Sequence, residues 1–236
     1  MSLLKAVLML AVLAGCGTGA QRRTFPVELT LQPMAGPNER GWSVTPESLQ
    51  LTVGPVRFYE GRVLLSRFDP FLLLGGTAWA HPGHYIPGEA LAEVLSTTTV
   101  DLLAATPTPL GTANAVTGGY GSMELTLPST EGGAVRVRGT ATHADGRSVR
   151  FEAALNLPRP IEGIRFEREL AMEGGRVRIT VELGRWLGRI DFATASAPGA
   201  DGVSTFPTGS QAMNALVRGV EDTSAYVVTW AEGATP

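Results

Sequence analysis

A mainly β fold, an antiparallel β-sandwich or barrel-like domain with one or two short helices, is predicted by three observations. The longest apolar patterns alternate every second residue, 29 glycines and 16 prolines supply tight turns, and regular helical periods are scarce. Taken in order, residues 25–31 alternate and read as a first strand. Leu49, Leu51 and Val53 mark one face of the next, and Gly54-Pro55 should break it before residues 56–59 resume it, because proline brings no N–H to a ladder. Glu60-Gly61 then turns into residues 63–68, and residues 71–79 are apolar with a break at Gly75-Gly76. Residues 87–95 carry good helix formers with Glu89 near their start and predict a short helix. Residues 106–121 predict the longest irregular stretch. Met123, Leu125 and Leu127 mark one face of another strand.

Two hairpins can be read with their register. A three-residue loop, Ala144-Asp145-Gly146 with Gly146 left-handed, sets Val135, Val137, Gly139 and Ala141 opposite Leu155, Ala153, Phe151 and Val149. A two-residue loop would turn the valines away from Phe151, and a one-residue slip moves an apolar set from core to solvent. The second hairpin is expected at Glu173-Gly174, pairing Leu170 with Val177, Phe166 with Val181 and Ile164 with Leu183. Ser210 should cap a helix over 211–220, followed by a last strand over 225–230. No long linker, charge block or repeat divides the chain, so 25–236 is expected to be one domain.

The N-terminus carries its own signal. Lys5 precedes an apolar run over 6–13 and then small residues, a secretory pattern. The run is far shorter than the roughly 20 apolar residues of a membrane-spanning helix. Leu13-Ala14-Gly15-Cys16 resembles the bacterial lipobox, in which the chain is cut before the cysteine and its thiol takes a diacylglyceryl group. The resemblance implies a signal peptide at 1–15, a lipid anchor and tether at 16–24 with Cys16 as the lipidation site, and membrane lipid as partner. Several acyl chains hold a protein far better than one. Gly17 stands where many lipoproteins retained in the inner membrane have aspartate, so the sorting rule implies the outer membrane of the cell envelope. An acylated Cys16, the one cysteine, leaves no disulfide, and 221 residues (236 minus 15) must be held by their core.

Composition excludes some functions. Lys5 is the sole lysine, so the mature chain has 18 arginines against 22 acids, a formal charge of −4 (18 minus 22), which argues against nucleic-acid binding. Gly-x-Ser-x-Gly, P-loop and dinucleotide fingerprints are absent. Glu89 and Glu93 would share a face of the expected helix, where acids at that spacing are ordinarily solvated surface. No catalytic residue is assigned, and the chain is not read as an enzyme. The exception to this plainness is Trp79-Ala80-His81-Pro82-Gly83-His84-Tyr85, two of the three histidines in one Pro-Gly turn. Imidazole suits copper or zinc. The preferred hairpin register gives His143 the parity of Val135, Val137 and Ala141, facing inward at one end, where it could join His81 and His84 with Trp79 nearby. Isolated histidines in turns also serve only to hydrogen-bond the backbone, and a non-metal binding module or a structural component of a surface complex is the competing expectation.

Two short segments carry a resemblance that bears on this choice. Val56-Arg57-Phe58-Tyr59-Glu60-Gly61-Arg62-Val63-Leu64 resembles the strand signature of the copper-binding surface proteins related to the methanobactin-associated protein MbnP and the copper-repressible proteins of methanotrophs, and Trp79-Ala80-His81 matches their Trp-x-His unit. The resemblance implies a Cu(I) site built from His81 and the distant His143. It also implies a dihaem partner that oxidises Trp79 to kynurenine. His84 is not part of that motif.

Overall fold

The computed structural model describes residues 20–61 and 86–233. Thirteen strands are present among them: β1 (Arg22–Gln32), β2 (Trp42–Val53), β3 (Val56–Tyr59), β4 (Ala90–Val94), β5 (Thr98–Asp101), β6 (Thr108–Val116), β7 (Gly118–Leu125), β8 (Val135–His143), β9 (Ser148–Leu155), β10 (Ile161–Leu170), β11 (Gly175–Glu182), β12 (Ser204–Thr205) and β13 (Tyr226–Glu232). Helices α1 (Leu183–Leu187) and α2 (Gln211–Glu221) complete the fold, with Ser210 Oγ accepting from Met213 N as the α2 cap. The expected mainly β class therefore holds.

The strands form two sheets around one core. Eight run in the order β10-β7-β3-β4-β6-β1-β11-β13, and five in the order β12-β9-β8-β2-β5. The larger sheet curls until its edge strands meet: Arg168 of β10 lies 5.6 Å over the Trp230 ring of β13 and 3.9 Å from Glu232. Most pairs are antiparallel, but β1 with β11 and β9 with β12 are parallel. Inside the curl Phe58 packs edge-on against Phe25 at 5.6 Å and Phe166 at 5.5 Å, while in the smaller sheet Phe151 stacks on Phe206 at 5.5 Å.

Topology gives the molecule two poles. β1 rises from Arg22 to Gln32, about 33 Å of strand. At its foot lie the ends of β6, β10 and β13, since Arg22 pairs with Val116, Gly175 pairs with Glu232, and Arg23 donates to the Ala171 and Glu173 carbonyls. The β3–β4 connection also leaves from the foot: Tyr59 pairs with Ala90, and Ala92 pairs with Ala115, which faces Arg23. At the head, the link from β1 to β2 is fixed by Asn38. Its Nδ2 donates to the Leu187 and Ile190 carbonyls at 2.9 and 2.8 Å, and its Oδ1 accepts from the backbone of Arg40 and Trp42. Every polar atom of this buried side chain is therefore used, which sets where β2 begins.

Four expectations need correction. Residues 87–95 are not helical: β4 pairs with β3 and β6, burying Ala92 and Val94, so two waiting strand edges outweigh the helix propensity of Ala, Leu and Glu. Residues 106–121 are not irregular but hold β6 and the start of β7; Gly111, at φ +141°, falls where the β1–β6 register shifts and interrupts the alternation. The Glu173-Gly174 turn joins strands that do not pair. β10 takes β7, while β11 takes β1 and β13, although Ile164, Phe166, Leu170, Val177, Val181 and Leu183 are all buried. Arg22, Arg23 and Thr24, expected in the tether, belong to β1 and pair with β6. The strands expected over 63–68 and 71–79 lie outside the described residues.

Candidate functional site

His143 is the one described residue among those the sequence singled out; Cys16, Trp79, His81 and His84 lie outside the described residues. Its hairpin has the expected register, with Val135 opposite Leu155, Val137 opposite Ala153, Gly139 opposite Phe151 and Ala141 opposite Val149. The loop is the three-residue one. His143 N donates to Arg147 O at 2.8 Å, Gly146 N returns to His143 O at 2.9 Å, and Gly146 takes φ +91° with open space around its Cα. Parity then turns the imidazole inward at the head of the sandwich, 22% exposed.

What it meets there was not legible in the sequence. Trp42 lies directly opposite His143 in the β2–β8 ladder, and the two rings sit 4.9 Å apart. Trp42 is buried, packs on Phe192 at 5.7 Å and donates from Nε1 to Asp191 Oδ1 at 3.2 Å. The Arg147 guanidinium covers its other neighbourhood, 5.5 Å from the ring centroid. Trp79, expected near this histidine, lies outside the described residues; among the described residues the tryptophan beside His143 is Trp42, from a strand whose pairing no local pattern announces.

Asp145 orients the imidazole. Its Oδ1 is 2.9 Å from His143 Nδ1, and its Oδ2 accepts from Arg147 Nε at 2.7 Å. Asp145 N also approaches Nδ1, at 3.3 Å, so two proton placements compete. The shorter contact to a carboxylate is the stronger bond. With the proton on that bond, the Nε2 lone pair lies on the side of Gly41, where a Cβ would stand 3.1 Å from Nε2; Arg147 Nη2, 3.4 Å from Nδ1, favours the other placement. The Asp145 carboxyl is held down to about 2, chiefly by the Arg147 backbone N–H, with His143 and the Arg147 side chain adding to it. A carboxylate on one imidazole nitrogen with the other left free is the arrangement that orients metal-ligating histidines. The donor chemistry of His143 thus fits a metal ligand, but it is a single ligand: among the described residues no three His, Cys, Asp or Glu side chains gather as a metal site.

Chain length bears on the expected His81–His143 pair. The segment between Gly61 and Ile86 starts and returns at the foot, where Gly61 N donates to Pro87 O at 2.7 Å and Ser122 Oγ to Gly61 O at 2.5 Å. His143 is at the head, beside Gly41. His81 is five residues from Ile86 (86 minus 81), a reach of at most about 18 Å, against about 33 Å for β1 alone.

Comparison with protein-family models, curated proteins and solved structures finds no match. The class rests on the fold: a mainly β domain of two sheets on one core, the larger nearly closed.

Proposed function

We propose that the chain is an exported lipoprotein of the cell envelope, anchored in the outer membrane through acylated Cys16, that captures copper through His81 and His84 beside Trp79. The observation that carries the anchoring is the Leu13-Ala14-Gly15-Cys16 motif six residues (22 minus 16) before the first residue of β1. So short a link keeps the foot of the domain near the membrane and turns the head away from it. The copper reading draws support from the Trp-x-His-x-x-His spacing, since two imidazoles three residues apart in one turn can approach one ion at little cost in loop entropy. The distance between foot and head favours His81 with His84 over His81 with His143.

A second reading is favoured by the geometry around His143 itself. Ring contact with Trp42 and the Asp145 pair give this imidazole a structural role at the hairpin end, and a binding module without metal would use all three histidines in such ways. Copper titration into the chain freed of its lipid, followed by dialysis against a weak chelator, separates the readings. The wild type is expected to retain copper, His81→Ala and His84→Ala to lose it, and His143→Ala to retain it. Retention should fall on acidification, because a protonated imidazole cannot ligate. Loss of copper from His143→Ala would restore the His81–His143 site, and no retention by the wild type would leave the second reading standing.

A further inference from the structure

Four large apolar side chains stand out as exposed among the described residues, and two of them, Ile86 at 73% and Met172 at 58%, are at the foot. Neither is a loose end. Met172 sits in the β10–β11 turn, whose carbonyls on either side, Ala171 and Glu173, both accept from the Arg23 guanidinium. Ile86 is held by backbone approach: Gly61 comes so near its carbonyl that any Cβ there would collide, and Glu60 N donates to Glu89 O at 3.1 Å. β10, β7, β3 and β4 are successive in the large sheet, so the segments that carry Met172 and Ile86 lie at the same end of one run of strands.

Isolated exposed apolar residues are ordinary on any surface. These two lie on the rim where the chain enters the fold. From Cys16 to Ala20 is four residues (20 minus 16), a span of at most about 14 Å, and Ala20 shares a groove with Met172 and Gly118. Resting on the lipoprotein reading, we infer that the foot of the domain lies on the bilayer that holds Cys16, with Ile86 and Met172 seated among the lipid headgroups. The contact is apolar in origin. Arg22, Arg23 and Arg168 at this rim are outnumbered by the exposed Glu60, Glu89, Glu169, Glu173 and Glu232, so anionic lipid adds nothing to it.

The test uses the lipidated chain in phosphatidylcholine vesicles. With its one cysteine acylated, a single introduced thiol is the sole site for a fluorophore. Ile86→Cys and Met172→Cys are labelled, with Arg40→Cys at the exposed head as the reference, and quenching by nitroxide-bearing lipid is measured. Strong quenching at 86 and 172 with little at 40, unchanged by added salt, is the expected result. Vesicle-bound protein with equally weak quenching at all three positions overturns the inference and leaves the anchor intact. Protein that does not float with the vesicles overturns the lipoprotein reading, and this inference with it.

Discussion

Phe151→Ala is expected to lower stability by about 3–5 kcal/mol, since it removes a large buried ring that surrounding groups cannot collapse to replace. Phe151 is fully buried on β9, 4.7 Å from Phe192 and stacked at 5.5 Å on Phe206, so two rings lose a common partner. Against a total of about 5–15 kcal/mol for an ordinary domain, this is a large share. Urea unfolding should show a midpoint well below that of the wild type at similar slope. A loss under about 1 kcal/mol would mean that the β9 face is not the core face.

Phe166→Ala should be of similar size, about 3–5 kcal/mol, but it tests the other sheet. Phe166 is buried on β10 and meets Phe58 of β3 at 5.5 Å and Tyr120 of β7 at 6.1 Å. A double-mutant cycle with Phe58→Ala should give a coupling of about 0.5–1.5 kcal/mol, the range for aromatic pairs in contact. Strictly additive losses would place β10 away from β3 and contradict the curled sheet.

These rings also show what the sequence makes readable. Alternation predicts both to face the core, and both are buried, because a period of two fixes the face of a strand wherever one side is wet. Partners are another matter. The 144–146 loop is short and carries a glycine, so Phe151 faces Gly139 by local geometry alone. Nothing local tells β11 to run parallel to β1, where Val27 meets Val177 across 150 residues (177 minus 27). The same gap explains the missed ring contact at the candidate site: the parity of His143 was legible, but Trp42 arrives through the β2–β8 ladder. Likewise, only the strand order reveals that the chain leaves the described residues at Gly61 and returns at Ile86, both at the foot, while His143 sits at the head. In β4 the sequence misled outright, because Ala, Leu and Glu serve either state and the edges of β3 and β6 decided.

The central claim is the anchor, and the mature N-terminus tests it most directly. Membrane fractions of cells producing the wild-type chain, grown with labelled fatty acid, should yield a protein whose first residue is Cys16 and whose N-terminal peptide carries the label, while Cys16→Ser accumulates as unlabelled precursor. A mature chain that starts at any other residue and carries no acyl group would contradict the account.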